Sequence, residues 1–217
     1  MNFIGNYLED LRKTLAEVPQ EPIAETIDVL HEARMAGRQV FILGNGGSAS
    51  TASHFVCDLA KNARMQGWPH FRVIGLTDNM ALITAYANDE GYENVFAEQL
   101  TNHVQPSDVV IAISTSGNSP NVLRAVNEAN AMKATTIGFT GYEGGQLGNM
   151  VDINLCVPSN CVEQIEDIHL VFEHLICTAL RELLQKHTPT KRIISSNESQ
   201  RSSIKPATTV SVVEPSK

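Results

Sequence analysis

The chain has 217 residues, 42% of them hydrophobic, and a formal net charge of −8. This length and apolar content suit one globular α/β domain, and the negative charge excludes general binding to nucleic acid. No apolar run approaches the roughly 20 residues that a membrane span needs, and residues 1–18 resemble no secretory signal. The four cysteines form no CxxC pair, which is typical of free thiols in a reducing compartment. We therefore expect a cytoplasmic protein without a membrane partner.

Two helices are predicted before the first strand. Apolar residues recur at helical spacing over residues 2–17, and the proline-containing segment 18–22 ends that helix. A second helix over residues 23–36 ends at Gly37, which suits a helix C-terminus. Because residues 1–37 precede the sheet, we expect them to pack in a helical bundle or at a subunit interface.

Short apolar strands alternate with helical stretches in residues 38–187, a pattern that predicts a parallel sheet covered on both faces. The expected fold is a three-layer αβα sandwich whose five-stranded sheet has the order 2-1-3-4-5. Residues 1–187 would then form a single domain, while residues 188–217, rich in Ser and Thr, are predicted to be a disordered tail. Strands are predicted at 40–43, 71–76, 109–114, 135–139 and 153–157, and helices at 48–64, 79–87, 93–104, 119–132 and 162–186.

A glycine loop after the first strand predicts an anion-binding site. Residues 44–48 read GNGGS and lead directly into a helix. Such glycines let the backbone approach a phosphate, and the helix N-terminus offers free N–H groups and a partial positive charge. His54 and Asp58 lie four residues apart on that helix and therefore on one face. Asp58 has a second interpretation, a simple ion pair with Lys61 or Arg64.

The third strand runs into a second loop of the same kind, STSGNS at residues 114–119, followed by Pro120 and a helix. Ser119 alone is explained by helix capping, but Ser114, Thr115 and Ser116 in succession are better explained by phosphate binding. In a sheet of order 2-1-3-4-5, strands one and three are neighbours at the topological switch point, where ligands bind. Both loops are therefore expected to face one crevice.

These motifs together resemble a known family. GNGGSAS, ANDEGYENVFAEQL, VVIAISTSGNSPNVLRAV, TGYEGGQLG and VEQIEDIHLVFEH resemble, in this order, the sugar isomerase (SIS) domain and, within it, the phosphoheptose isomerase branch. The resemblance covers about residues 1–186. It implies a homotetramer that converts sedoheptulose 7-phosphate to D-glycero-D-manno-heptose 7-phosphate, often with a zinc ion at the site.

The resemblance also implies roles for individual residues. Asp58 would be the catalytic base, and His174 the general acid. His54, Asp58, Glu166 and His174 would hold the metal. The substrate would be bound by Asn45, Gly46, Gly47, Ser48, Asp58, Asn88, Asp89, Ser114, Thr115, Ser116, Ser119 and Glu166.

Two positions depart from the family pattern. Asp58 stands where a glutamate is usual, so its carboxylate is drawn back by about 1.5 Å unless the helix shifts. Glu166 stands where a glutamine is usual, and it competes with Asp58 as the base. Glu166 and His174 are eight residues apart, about 12 Å along a helix, so either the helix begins after Glu166 or the ligands come from two subunits. Glu166 also has a purely structural interpretation, in which it is an acidic residue in the first turn of the helix that complements the helix dipole.

Other functions stay open at this point. Residues 44–49 also satisfy GxGxxA, a weak dinucleotide-binding motif, but this would leave the second loop and His174 unexplained. A regulator that binds a sugar phosphate without converting it would be expected to lack the acid–base and metal residues, and His54, Asp58 and His174 are present. An isomerase of another sugar phosphate is a further alternative. His169 is expected to be structural.

Overall fold

The computed structural model describes residues 2–186, so the predicted tail at 188–217 lies outside the described residues. The elements in chain order are helices α1 (Phe3–Glu17) and α2 (Gln20–Met35), strand β1 (Gln39–Gly44), α3 (Gly47–Cys57), β2 (Arg72–Gly75), α4 (Met80–Asp89), α5 (Ala97–Thr101), β3 (Val109–Ile113), α6 (Pro120–Ala131), β4 (Thr135–Gly141), β5 (Ile153–Val157) and α7 (Val162–Lys186).

The five strands form one parallel sheet in the order β2-β1-β3-β4-β5. Side chains alternate between its two faces, and each face carries its own apolar core. Val40 and Ile42 pack with residues of α2, α3 and α7, whereas Phe41 and Leu43 pack with residues of α5 and α6. Helices thus cover both faces, and the predicted three-layer sandwich and strand order are confirmed.

Two helix boundaries differ from the sequence prediction. Helix α2 begins at Gln20 rather than at residue 23 and therefore includes Pro22, which the first turn tolerates because the N–H groups there have no helical partner. The helix predicted over 93–104 is divided into a 3₁₀ turn, Tyr92–Asn94, and the short α5. Val95 and Phe96, between them, are buried in the core.

Helix α3 changes geometry where it reaches the candidate site. Its last turn continues as a π-helical turn, Asp58–Asn62, in which the Ala63 N–H donates to the Asp58 carbonyl over 2.8 Å. The helical stretch predicted over 48–64 is therefore an α-helix up to Cys57 and a π-helical turn from Asp58 to Asn62. Such turns are frequent at functional sites, and Asp58 is the first residue of this one.

The topology brings the two predicted loops to one edge of the sheet. β1 and β3 are neighbours, pairing from Val40–Val109 to Gly44–Ile113. The loops that follow them both leave from the carboxyl ends of these strands, at the switch point where open α/β sheets bind ligands. Among the helices of residues 2–186, none is both long and apolar enough to cross a membrane.

Candidate functional site

The first loop turns sharply between β1 and α3. Gly46 has φ of +55°, a left-handed conformation that favours glycine. Asn45 is hydrogen bonded across the crevice, since its side-chain amide and that of Asn121 donate to each other's oxygens over 2.8 and 2.9 Å. The Tyr92 hydroxyl also donates to the Asn45 side chain over 2.9 Å. Asn45 therefore ties the first loop to the start of α6, and Ser48 is buried beneath it.

The second loop is compact and rich in hydroxyl groups. The Ser114 and Ser119 hydroxyls lie 3.3 Å apart, and the Gly117 N–H donates to the Ser114 carbonyl over 3.0 Å. This turn brings the polar side chains of residues 114–119 to the N-terminus of α6, which begins with Pro120. Free N–H groups and hydroxyls in this arrangement suit a phosphate group.

The end of β4 and the loop that follows it are hydrogen bonded to the second loop. The Gly141 N–H donates to the Thr115 carbonyl, and the Leu147 N–H donates to the Gly117 carbonyl, each over 2.9 Å. Gly117 has φ of +64°, and a Cβ there would collide with the Gly144 carbonyl. The TGYEGGQLG motif thus fixes the shape of the second loop.

A cleft of about 450 Å³ opens beside the two loops. It is lined by Asn45 of the first loop, Ser119 of the second loop and Arg124 of α6. The Arg124 guanidinium lies 3.7 Å from the Glu93 carboxylate. The predicted pair Asn88 and Asp89 is exposed at the end of α4, where the Asn88 amide donates to the Asp89 carboxylate over 2.7 Å.

A cluster of four metal-ligating side chains lies between α3 and α7. It consists of His54, Asp58, Glu173 and His174, and one ligand atom of each lies within 4.8 Å of all the others. His54 Nε2 is 3.9 Å from an Asp58 carboxylate oxygen and 3.8 Å from a Glu173 oxygen. The rings of His54 and His174 meet edge to face, with centroids 5.0 Å apart. His54, Asp58 and His174 were predicted together and are found together.

The electrostatics of this cluster favour a bound cation. Glu173 is fully buried, and neither carboxylate oxygen has a hydrogen-bond partner in the described part of the chain. Burial and, secondarily, the negative charge of Asp58 raise the pKa of Glu173 to about 8. Asp58 is 7% exposed and accepts a hydrogen bond from the Asn62 amide. Two histidines and two carboxylates fit a divalent ion such as zinc. One of the carboxylates, that of Glu173, has no hydrogen-bond donor beside it in the described part of the chain.

The predicted metal set needs a correction at Glu166, which is absent from this cluster. Helix α7 runs unbroken from Val162, so Glu166 and His174 are separated by about 12 Å of regular helix. The Glu166 carboxylate instead lies against Gly47, in the space that a side chain there would occupy. It therefore adjoins the first loop, and the interpretation in which the helix begins after Glu166 is wrong. The alternative in which the ligands come from two subunits stays a prediction.

Sequence reasoning missed Glu173, although α7 carries a signal for it. Ile165, Phe172 and Ile176 are buried along this helix, and Glu173 falls within the same stripe at helical spacing. A charged residue in a buried stripe is rare unless it is paired.

His169 lies in this stripe too. It is buried, and its Nε2 is 3.0 Å from the Thr140 carbonyl.

Comparisons with known proteins agree with this architecture. The SIS domain matches residues 5–141. A phosphoheptose isomerase of Aliarcobacter butzleri (strain RM4018) is 40% identical over 163 residues, which are 74% of this chain and 85% of that protein. One from Trichlorobacter lovleyi is 37% identical over 185 residues, 83% of this chain and 93% of that protein.

Solved structures give the same result. A phosphoheptose isomerase from Francisella tularensis superposes with a TM-score of 0.76 at 33% identity, covering 82% of this chain and 96% of that one. The structure of phosphoheptose isomerase GmhA from Neisseria gonorrhoeae gives a TM-score of 0.77 at 28% identity, with coverages of 82% and 97%. The chain belongs to the SIS domain family, in its phosphoheptose isomerase branch.

Proposed function

We propose that this protein is an aldose–ketose isomerase that converts sedoheptulose 7-phosphate to D-glycero-D-manno-heptose 7-phosphate. The observation that carries the proposal is that a hydroxyl-rich anion loop and the cluster around His54 belong to one sheet edge and its adjoining helices. His54 lies about 9 Å along α3 from Ser48, which we assign to the phosphate. Such a separation suits a sugar that carries its phosphate at one end and its carbonyl at the other.

Isomerisation moves one proton between adjacent carbons and another between their oxygens. In our proposal Asp58 takes the carbon-bound proton and returns it to the neighbouring carbon, and His174 exchanges a proton with the oxygens. Asp58 is buried and held by Asn62, which fixes its carboxylate for this transfer. Glu166 is the alternative base, since its carboxylate adjoins the first loop.

Zinc is the proposed cofactor, with His54, Asp58 and His174 among its ligands. When bound, the ion would supply Lewis-acid polarisation of the sugar carbonyl. The unpartnered oxygens of Glu173 support the presence of a cation at this cluster.

The remaining predicted residues would bind and orient the substrate. The phosphate would be held by the hydroxyls of Ser48 and of the second loop and by N–H groups at the start of α6. The sugar would be bound by the rest of the first loop, the end of α4 and Glu166. We assign the phosphate to Ser48, Ser114, Thr115, Ser116 and Ser119, and the sugar to Asn45, Gly46, Gly47, Asn88, Asp89 and Glu166.

We propose a homotetramer as the assembled state. Helix α1 exposes large apolar side chains, among them Phe3 (76% exposed) and Leu8 (59% exposed). An apolar groove of about 370 Å³ runs beside it, lined by residues that include Ile27 of α2 and Leu175 of α7. Isolated exposed apolar residues are common, but adjoining ones on neighbouring helices are typical of an interface. Size-exclusion chromatography with light scattering tests this state.

The proposed location is the cytoplasm, and the proposed domain is residues 1–187. All four cysteines are free thiols, which is usual in a reducing compartment. The domain proposal leaves residues 188–217 as a tail without a catalytic role. Removal of these residues should leave activity and assembly unchanged, and loss of either would refute this boundary.

The proposed activity is tested with purified, metal-analysed protein and sedoheptulose 7-phosphate. NMR follows the appearance of the aldose phosphate. Turnover that stops with a chelator and returns with zinc supports both the reaction and the cofactor. Binding of the sugar phosphate without turnover would instead favour a regulator, or an isomerase of another sugar phosphate.

A further inference from the structure

We propose that Glu173 is a ligand of the metal in this protein and that Glu166 is not. This inference rests on the metal-binding part of the proposed function. It changes the ligand set that the sequence predicts and gives a role to a buried carboxylate that the proposed reaction does not use.

The first argument is geometric. Glu173 and His174 are consecutive residues of α7, and both reach the space beside His54 and Asp58, with all four ligand atoms within 4.8 Å of one another. Only a small adjustment of these side chains is needed for them to share one ion, because zinc–ligand bonds are about 2.0–2.2 Å long. Within the same chain, Glu166 would have to cross more than two helical turns to join them.

The second argument concerns the buried charge. A fully buried carboxylate is unfavourable unless it is paired or hydrogen bonded. The only ion-pair partner recorded for Glu173 in residues 2–186 is His54, at 3.8 Å, and neither carboxylate oxygen accepts a hydrogen bond. His54 itself is shared with Asp58. A divalent cation would compensate both carboxylates, and no described Lys or Arg does so.

The third argument is that the Glu166 carboxylate lies in another part of the site. Its carboxylate packs against Gly47 in the first loop, on the side of the site where we propose that the sugar binds. The two glutamates of α7 would therefore have separate roles, Glu173 toward the metal and Glu166 toward the substrate loop.

Zinc affinity measured on the full chain tests the inference without an activity assay. We would compare wild type with Glu173→Gln, Glu166→Gln and Glu182→Gln, the last an exposed control on the same helix. Competition with a chromophoric chelator gives the zinc affinity, and mass spectrometry of the metal gives its stoichiometry. Loss of an outer partner of a metal ligand usually costs 10–100-fold in affinity, so loss of Glu173 itself should weaken zinc binding by at least about 100-fold.

The two control variants should bind zinc nearly as wild type does. A single charge about 12 Å from a divalent ion in water changes its affinity only about threefold. Zinc affinity that is unchanged in Glu173→Gln, or lost in Glu166→Gln, would overturn the inference. Wild type that binds no zinc would refute the metal-binding part of the proposed function as well.

Thermal unfolding separates a lost ligand from a misfolded variant. Without metal, Glu173→Gln should melt close to the wild-type temperature, because glutamine replaces a buried carboxyl group that has no hydrogen-bond partner in residues 2–186 at nearly constant volume. Added zinc should then raise the melting temperature of wild type and leave that of Glu173→Gln almost unchanged. An equal rise in both proteins would contradict the assignment.

Discussion

Acidification should destabilise this protein through His169. The imidazole is buried against the rings of Phe139 and Phe172. Its Nε2 faces the Thr140 carbonyl, so it carries the proton, and Nδ1 has no partner in the described chain. A second proton would have to be placed on Nδ1 among apolar groups. Burial accordingly lowers the pKa of His169 from 6.5 to about 4, against the weaker opposing effect of the Thr140 carbonyl.

The sign and size of the effect follow from proton linkage. Between these two pKa values the unfolded chain binds a proton at His169 that the folded chain does not, so the contribution of His169 to the free energy of unfolding falls as the pH falls. The full loss is about 3 kcal/mol below both pKa values, and between pH 7.5 and pH 5 it is about 2 kcal/mol. A loss of that size is a large fraction of the stability of an ordinary domain.

Urea unfolding at fixed chain concentration, with zinc removed by a chelator, measures this loss. The matched variant is His169→Gln, whose amide N–H can donate to the Thr140 carbonyl but does not titrate. Between pH 7.5 and pH 5 it should lose about 2 kcal/mol less stability than wild type. His103→Gln, at an exposed histidine, should behave as wild type does. An identical pH dependence in His169→Gln and wild type would refute the reasoning.

Three further variants test the proposed site. Asp58→Asn should lower kcat by about 100- to 10,000-fold while circular dichroism shows an unchanged fold, and near-normal turnover would remove Asp58 from the mechanism. Ser116→Ala combined with Ser119→Ala should raise KM for the sugar phosphate by about tenfold or more with little change in kcat, and an unchanged KM would place the phosphate elsewhere. Gly117→Ala should lower stability by at least about 1–2 kcal/mol, measured by urea unfolding, because of its positive φ and the collision with the Gly144 carbonyl; stability equal to wild type would contradict that packing.

The central strands β1, β3 and β4 could be predicted because they are buried on both faces. Such strands read as continuous apolar runs, as in Val109–Ile113, and glycine- or serine-rich loops follow them. The failures concern local geometry that tertiary packing decides. The segment after Gly91 has helical spacing, yet the burial of Val95 and Phe96 divides it. Nothing in the sequence of α3 indicates that its end becomes a π-helical turn at Asp58.

Within the site, the pair His54 and Asp58 could be predicted from helical spacing, because α3 alone fixes their common face. The resemblance added His174 but also added Glu166, which the unbroken α7 keeps apart from the cluster. Which glutamate of α7 faces α3 depends on how the two helices pack, and one sequence contains no direct record of that packing.

The buried face of α7 shows which part of the site can be predicted from the sequence and which part requires the structure. Spacing alone identifies His169 and Glu173 as polar residues within one buried stripe, and both therefore need a partner. The structure supplies a carbonyl oxygen for His169, through Thr140, and no hydrogen-bond donor for Glu173 among the described residues. The same pattern thus marks a structural histidine at one position and a proposed metal ligand at the other. Only the groups on the opposing element distinguish them, which is why the Glu173→Gln and His169→Gln variants should respond to different variables, zinc in one case and pH in the other.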